Sequence, residues 1–445
     1  MMGQLVARGH ELTPHPDQAD VLVVNTCSFI DPAKKESIDT ILEMAEYKKV
    51  GRARKLIVAG CLVERYRGDI RKELPEVDAI VGTNELDAIV AACEGLETDG
   101  TPAEPYLYHD LTPRVLATPR HFAYVKIAEG CDHPCTFCVI PQYRGKFRSR
   151  RFESVISEAT RLFQQGVREI NLIGQDTTCY GEDLGLKDGL ANLLARLAQI
   201  ETGREKWIRF LYAYPNKVTG RLLDTIAEHA SLVKYIDMPL QHSSARVLQR
   251  MKRGASGDIF LKLLERIRRT IPGVAIRTSF IVGFPGETAA EFEELCQFVK
   301  AARFDNLGVF AYSDEDTSGS YGLDGKVDGR TVQNRKRRLM ALQRPIARAR
   351  NRGLVGQEVS VLVEGESRET ELLWEARMAG QAPEIDGVAL VNDFEEAPPR
   401  QGEIRLMRIT EAHDYDVVGT LLPPAEPAPH FAAAPLIHIE PVPAL

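Results

Sequence analysis

The stretch GCDHPCTFCVIP, residues 130–141, decides the fold of this chain because it places three cysteines on one short loop. Cys131, Cys135 and Cys138 have the spacing C-x3-C-x2-C, and they follow a predicted strand, YVKIAEG (124–130). Thiolates are soft ligands that suit iron–sulfur clusters. Three thiolates on a tight loop can bind three irons of a cubane cluster and leave the fourth iron open, as catalytic zinc keeps one position free.

This motif resembles that of the radical S-adenosylmethionine (SAM) superfamily. The resemblance implies that Cys131, Cys135 and Cys138 bind a 4Fe–4S cluster and that SAM chelates the open iron through its amino and carboxylate groups. One electron from a donor then cleaves SAM to a 5′-deoxyadenosyl radical, and Phe137 is expected near the adenine. Two alternative interpretations are a zinc knuckle with His133 as the fourth ligand and three buried free thiols.

Residues 119–350 alternate predicted strands with predicted helices around this loop. Six strands with helical crossovers predict a parallel sheet, either open or curled into a partial (β/α) barrel, with its site at the carboxyl ends of the strands. The superfamily resemblance implies the partial barrel. The glycines of LIGQDTTCYG (172–181) and RTSFIVGFPGET (277–288) let the backbone approach a ligand closely. The superfamily resemblance implies contacts with SAM for three further residues: Gln175, Arg277 and Glu287. An ordinary strand-to-helix turn is the alternative for GFPGE.

Residues 1–118 predict a smaller α/β domain. Its strands VLVVNTC (21–27) and KLIVAGC (55–61) each end in a cysteine, Cys27 and Cys61. The carboxyl ends of parallel strands are where open α/β sheets build their sites. Taken alone, the two cysteines favour simple burial, because cysteine is among the most often buried residue types.

Residues 351–420 differ in pattern from the rest of the chain. Short alternating segments such as EVSVLVE and EIRLMRIT, separated by Gly, Pro and Asp, predict a small β-barrel of five strands. The tail, 421–445, is rich in Pro and Ala, and we expect it to be disordered.

This layout resembles the methylthiotransferase family, in which a cysteine-bearing α/β domain, a radical-SAM partial barrel and a TRAM β-barrel follow one another. In that family the first domain binds a second 4Fe–4S cluster through three cysteines, and Cys27 and Cys61 match the second and third. The first, in a segment like GCxKNxxDSE, has no counterpart here. We expect a start of translation upstream of Met1. A natural short form with an altered cluster, a paralogue that cannot transfer sulfur, and substitution by Cys93 or Cys179 stay open.

Methylthiotransferases divide by target into a group that modifies an adenosine of transfer RNA and a group that modifies an aspartate of ribosomal protein S-twelve. Three segments resemble the second group: IRFLYAYP (208–215), DMPLQHSS (237–244) and APEIDG (382–387). The resemblance implies that the radical removes hydrogen from the β-carbon of the aspartate. The carbon then takes sulfur from the second cluster, and a second SAM supplies the methyl group.

Charge favours the protein target. Residues 354–419 hold 15 acidic residues against five Arg and no Lys. A barrel that binds RNA should carry a net positive charge, whereas a barrel with a net negative charge attracts a basic ribosomal protein. An acidic surface kept for solubility is the alternative. The basic segment RGKFRSRR (144–151) is interpreted as a neighbour of SAM or of the cluster. The basic predicted helix 330–352 is interpreted as a solvated helix face or as a contact to ribosomal RNA.

The predicted function is therefore methylthiolation of S-twelve, free or within the small ribosomal subunit. The competing hypotheses are a tRNA adenosine methylthiotransferase, a non-catalytic iron–sulfur protein that binds ribosomes, and a radical-SAM enzyme without sulfur insertion. The chain has 445 residues and a net charge of −7, with no apolar run of the ~20 residues that a membrane span needs. Disulfides are not expected among its eight cysteines, and the clustered thiols are better interpreted as metal-binding or catalytic, whereas Cys93 and Cys296 are interpreted as core residues. We expect a cytoplasmic monomer that is not bound to a membrane.

Overall fold

A computed structural model describes residues 1–96, 106–367 and 370–425. The tail predicted to be disordered lies outside the described residues from 426 onward. Three units follow one another along the chain. They are an α/β unit at the amino terminus, a larger unit of parallel strands and helices, and a small closed barrel.

The first unit is a parallel sheet in the order β1-β2-β3, covered by helices. The central strand is fully buried from Leu56 to Ala59, as expected for an apolar run in a parallel sheet. Its strands are β1 (Val21–Thr26), β2 (Lys55–Gly60) and β3 (Ala79–Val81), and its helices are α1 (Met2–Ala7), α2 (Asp31–Val50), α3 (Cys61–Glu73) and α4 (Ile89–Glu94).

The second unit confirms the predicted partial barrel. Its parallel strands form two sheets, in the orders β4-β7-β8 and β9-β10-β11, and a parallel bridge between Ile208 and Leu232 joins them. A hairpin of β5 and β6 lies beside the first sheet. The strands are β4 (Phe122–Lys126), β5 (Ala128–Glu129), β6 (Arg148–Ser149), β7 (Glu169–Ile173), β8 (Trp207–Phe210), β9 (Tyr235–Asp237), β10 (Ala275–Val282) and β11 (Asn306–Ala311).

Helices cover the outside of this barrel, and the main apolar core of the protein fills the space between the two layers. Every second residue of β10 (Ile276, Phe280 and Val282 among them) enters that core. The helices are α5 (Ile140–Arg144), α6 (Phe152–Gln164), α7 (Gly189–Ala198), α8 (Gly220–Glu228), α9 (Ala245–Arg250), α10 (Gly257–Thr270), α11 (Ala289–Ala302) and α12 (Gly329–Arg352).

The long basic helix α12 buries one stripe against the barrel and exposes the rest. Several of its arginines pair with acids of this chain, for example Arg350 with Asp305 at 2.6 Å and Arg348 with Asp414. Within the described ranges no helix has both the length and the apolar composition needed to span a membrane.

The third unit is the predicted small β-barrel. Its strands close in the order β12-β13-β14-β16-β15 around an apolar core. They are β12 (Glu358–Glu366), β13 (Trp374–Met378), β14 (Ala389–Phe394), β15 (Ile404–Ala412) and β16 (Val417–Leu421).

A buried ion network attaches the small barrel to the amino-terminal ends of the parallel strands. Glu169, the first residue of β7, accepts hydrogen bonds from Arg209 of β8 at 3.0 Å and from Arg377 of β13. All three side chains are at most 2% exposed. Asp386, from the APEIDG segment, accepts a 2.7 Å hydrogen bond from the Tyr235 hydroxyl. The cysteine loop lies at the opposite, carboxyl ends of the strands.

Glu169→Gln should strongly destabilise the contact between these two units. The substitution leaves Arg209 buried without a counter-charge and leaves Arg377 paired with Glu364 alone, and loss of one partner of a buried pair typically costs about 3–5 kcal/mol. The measurement is the denaturant midpoint with proteolytic release of the small barrel. The matched control is Glu358→Gln, whose surface pair with Arg408 is half exposed and contributes little because solvent screens it. Equal midpoints for the two variants would contradict the role of Glu169.

Candidate cluster-binding site

The cysteine loop, residues 130–138, begins with a glycine that no other residue could replace without strain. Gly130 has φ +82°, and a Cβ built on it would lie 2.1 Å from the Lys146 carbonyl oxygen. The Cys131 N–H donates to the Gly145 carbonyl at 3.2 Å, and the Thr136 N–H donates to the Met251 carbonyl at 3.1 Å. The loop is therefore fixed by backbone hydrogen bonds that leave the three thiols free.

The three thiols of this loop are half-buried, and none is in a disulfide. Burial raises the pKa of Cys131 to about 11 and the pKa of Cys138 to about 12. At neutral pH the metal-free protein therefore holds Cys131 and Cys138 as protonated thiols, and iron must displace those two protons on binding. The Arg253 guanidinium lies 3.8 Å from the Cys135 sulfur and can stabilise the thiolate. The donor set fits an iron–sulfur cluster.

His133, inside the loop, is engaged by other groups. Its Nε2 atom lies 2.6 Å from the Asp176 carboxylate, and its ring stacks on Tyr214 with centroids 3.8 Å apart. The Cys179 thiol donates to the same carboxylate at 3.1 Å. Burial and the charge of Asp176 raise the pKa of Cys179. The ligand atoms of His133, Asp176 and Cys179 all lie within 4.8 Å of one another, so the structure groups His133 with these two residues.

Cys27 and Cys61 lie side by side at one edge of the first sheet. Cys27 directly follows β1, Cys61 directly follows β2, and Thr26 is paired with Gly60 in the parallel register. The Ser28 hydroxyl donates to the Cys61 carbonyl at 3.0 Å, which ties the two strand ends together. Cys27 is exposed and Cys61 is half-buried. Neither thiol is in a disulfide and neither is fully buried, whereas Cys93 and Cys296 are buried in apolar clusters.

One arginine joins the two groups of cysteines. The Arg144 Nη2 atom, from the end of α5, lies 3.1 Å from the Cys61 sulfur. Its Nη1 atom lies 3.4 Å from both oxygens of Glu129, the residue before Gly130. The first and second units are thus in contact where both have their cysteines.

The predicted SAM-contacting residues fall into two groups. Gln175 lies beside the cysteine loop, where its amide donates to Glu129 at 3.1 Å and its carbonyl oxygen is buried without a partner. That oxygen is a ready acceptor for an amino group. Phe137 packs on the apolar cluster of Val247, Met251 and Phe284.

Arg277 and Glu287 are engaged by partners within the chain. Arg277 pairs with Asp237 at 2.8 Å and lies 3.6 Å from Asp386 of the small barrel. The Glu287 carboxylate is fully buried and accepts hydrogen bonds from the N–H groups of Gly283 and Phe284. It closes the GFPGE turn, so the contacts of both side chains with SAM stay predictions.

Two segments at the mouth of the barrel carry backbone strain. Tyr212 in IRFLYAYP has φ +62°, and Gln241 in DMPLQHSS has φ +71°. Such values are uncommon for bulky residues, and they concentrate at ligand sites. The Asp237 carboxylate holds Tyr212 in place by accepting from its N–H at 2.9 Å, and the Tyr212 side chain is 45% exposed.

Sequence reasoning missed Glu129 and the specific contact of Arg144. Glu129 lies within the predicted strand 124–130, and its acidic side chain in an apolar segment next to Gly130 was the available signal. Arg144 was one of five basic residues in 144–151, and nothing in their spacing distinguishes it. Its partner Cys61 is 83 residues away along the chain.

The first unit docks on the second through Glu315, which follows β11. Its carboxylate receives Arg65 at 2.7 Å and Lys34 at 2.9 Å. Burial raises the pKa of Glu315, but hydrogen bonds from Ser313, Lys34 and Arg65 outweigh this effect and hold the pKa below its ordinary value.

Comparisons with known proteins agree with this architecture. The model of the radical SAM superfamily matches residues 125–299, that of the uncharacterized protein family UPF0004 matches 1–82, and that of the TRAM domain matches 355–422. A radical SAM methyltransferase, TsrM of Kitasatospora setae, has a similar fold with a TM-score of 0.51 at 16% identity. The match covers 66% of this chain and 62% of that one.

Two curated relatives match almost end to end. The ribosomal protein uS12 methylthiotransferase RimO of Solibacter usitatus is 84% identical, over 99% of this chain and 95% of the relative. The protein of the same name from Koribacter versatilis is 56% identical, over 95% of this chain and 93% of the relative.

Acid should separate the first unit from the second. The pKa of Glu315 is depressed in the docked state, so its contribution is fully present above the ordinary glutamate pKa of about 4.3 and is lost as pH falls through the depressed value. Small-angle X-ray scattering from neutral pH to about 3 should show expansion below that ordinary pKa. Glu315→Gln should expand already at neutral pH, whereas Glu46→Gln, at an exposed pair with Lys49, should not. Compact Glu315→Gln protein would refute this docking contact.

Proposed function

Since this chain belongs to the family of ribosomal protein uS12 methylthiotransferases, we propose that it adds a methylthio group to the β-carbon of an aspartate in uS12, the S-twelve protein. The chain is a radical-SAM enzyme, and this superfamily uses a 4Fe–4S cluster and SAM. The proposal extends this to a second 4Fe–4S cluster that supplies sulfur.

One observation supports the proposal above all others, namely that Arg144 contacts Cys61 from the segment that follows the cysteine loop. A methylthiotransferase must create a reactive carbon and deliver sulfur to it at one place. Two separate cysteine sites would serve that purpose only if they opened on a common space. Arg144 meets this requirement because its side chain extends from the segment after the cysteine loop to the Cys61 sulfur.

Each residue then has a definite task. We propose that the triad cluster is held by Cys131, Cys135 and Cys138, and that Cys27 and Cys61 are ligands of the second cluster. When bound, the cofactors supply hydrogen abstraction, sulfur and the methyl group, so the protein binds, orients and excludes water. The unpartnered Gln175 oxygen would accept from the amino group of SAM, and Phe137 would contact its adenine.

Arg277 and Glu287 keep their proposed places near SAM, with the roles adjusted to their contacts. The Arg277 guanidinium is oriented by its ion pair with Asp237 and is proposed to face SAM. Glu287 is proposed to fix the conformation of a turn whose backbone lies next to SAM. The described domains are proposed to extend over 1–118, 119–350 and 351–420.

Substrate choice is proposed to come from two surfaces. The strained Tyr212 and Gln241 segments border the barrel mouth, where a substrate side chain must enter. The acidic small barrel is attached at the opposite ends of the strands. A basic partner is attracted to it over a distance, in accord with uS12 presented alone or in the small ribosomal subunit. We further propose that the enzyme is a cytoplasmic monomer and takes electrons from a separate donor.

Incubation of the reconstituted enzyme with SAM, a reductant and either uS12 or tRNA tests this function. Mass spectrometry should show the gain of one methylthio group on an aspartate of uS12 and none on tRNA. Cys138→Ala should abolish the gain, because the triad can no longer complete its ligand set, while Cys296→Ala, a buried core thiol, should keep it. Methylthiolated tRNA with unmodified uS12 would refute the proposed substrate. Cleavage of SAM without any sulfur transfer would refute the sulfur-inserting function.

A further inference from the structure

Arg144 is held in a position that its local sequence does not require. It ends the short helix α5, and its side chain is 24% exposed. Its two terminal nitrogens point to different units of the protein, one to the Cys61 sulfur at 3.1 Å and the other to the Glu129 carboxylate at 3.4 Å. Guanidinium is a rigid, permanently charged fork, so both contacts can be held at once.

The Glu129 carboxylate holds the Nη1 end of the Arg144 guanidinium in place. This carboxylate is 9% exposed and receives Lys126 at 2.6 Å, the Gln175 amide at 3.1 Å and Arg144. Glu129 also directly precedes the glycine that opens the cysteine loop. The anchor of Arg144 therefore belongs to the same rigid segment as the triad.

The Arg144 guanidinium can make one further hydrogen bond. The Nε atom of Arg144 is buried and has no hydrogen-bond partner. Around it are the Cys61 sulfur and, at the neighbouring strand end, Cys27. A buried N–H without a partner costs free energy that a bound acceptor would recover. Sulfur atoms of a cluster held by these cysteines are acceptors of that kind.

We propose that Arg144 is a positioning residue for the second cluster, which it orients through the Cys61 sulfur and whose reduced state it stabilises. This inference rests on the proposed function, since it needs a cluster at Cys27 and Cys61. A cluster held by thiolates is negatively charged, and reduction adds a further negative charge. A half-buried guanidinium beside one ligand opposes that charge, and hydrogen bonds to cluster sulfurs raise the reduction potential.

The same contact makes the orientation of the second cluster depend on the triad loop. Glu129 fixes the guanidinium, and the guanidinium fixes the Cys61 sulfur. Lysine at 144 would keep the charge but could not bond both partners through a planar fork. Glutamine would lose the charge and keep one donor. We therefore expect iron affinity and the reduction potential of the second cluster to decrease in the order Arg, Lys and Gln at position 144.

The test uses the whole chain, with all three units present and with Cys131, Cys135 and Cys138 changed to Ala, so that iron can remain only at the second site. Into this background go Arg144→Gln, Arg144→Lys and the control Arg151→Gln, which removes the same charge from an exposed position of the same basic segment. Iron content, iron affinity and the reduction potential from EPR-monitored titration are read for each protein. Far-UV circular dichroism checks that all four have the same fold.

Arg144→Gln should weaken iron binding about tenfold. It should shift the reduction equilibrium about tenfold toward the oxidised state, equivalent to ~59 mV for one electron. Arg144→Lys should fall between Gln and the parent, and Arg151→Gln should match the parent. A merely structural role would lower iron content without moving the potential.

Equal potentials for Arg144→Gln and Arg151→Gln, with iron bound in both, would overturn the role of Arg144 and leave the two-cluster function intact. Absence of iron from the parent triple-alanine protein, while the wild-type chain binds iron at the triad, would overturn the two-cluster function and Arg144's role with it. The two failures are thus distinguished by the parent protein alone.

Discussion

Parallel strand pairing is the constraint on which this structure depends. It gathers the carboxyl ends of neighbouring strands at one edge, so that loops distant in sequence become neighbours. The chain uses this twice. In the first unit the ends of β1 and β2 bring Cys27 and Cys61 together. In the second unit the cysteine loop opens above the barrel strands, and Arg144 spans the gap between the two edges.

Buried charge determines how the three units hold together. Glu315 binds the first unit through Arg65 and Lys34, and Glu169 binds the small barrel through Arg377. A buried ion pair gives little net stability over an apolar contact, but losing one partner is costly. Such pairs therefore fix which surfaces meet. This is the property needed to keep two cofactor sites in register.

Much of the fold was predictable from sequence, because its elements are specified locally. The triad loop, the alternating strands and helices, and the five-strand barrel each follow from spacing and periodicity within short segments, and all three units were found. The Arg144–Cys61 contact was not predictable, since it depends on how two units dock. Glu287 shows the other limit. A turn glutamate that bonds its own backbone has the same sequence as one that binds a ligand, and only coordinates reveal its partners.

The APEIDG segment marks a similar boundary. Its resemblance to the uS12-modifying group was visible in the sequence, yet its contacts with the barrel strands were not. Asp386 accepts a hydrogen bond from the Tyr235 hydroxyl and lies 3.6 Å from Arg277, which pairs with Asp237, the residue that holds the Tyr212 backbone. Under the proposed function, the acidic small barrel supplies long-range attraction for a basic partner, and the strained Tyr212 and Gln241 segments border the entrance for the substrate.

The central claim is that two iron–sulfur sites face one common space across Arg144. EPR spectroscopy of the reduced, reconstituted wild-type protein tests it most directly. Two clusters at close range should give a spectrum broadened by spin–spin coupling, which collapses to a single-cluster signal in Cys61→Ala and in Cys138→Ala. A wild-type spectrum equal to the sum of those two single-cluster spectra would contradict a common space, and a wild-type spectrum unchanged by Cys61→Ala would contradict a second cluster.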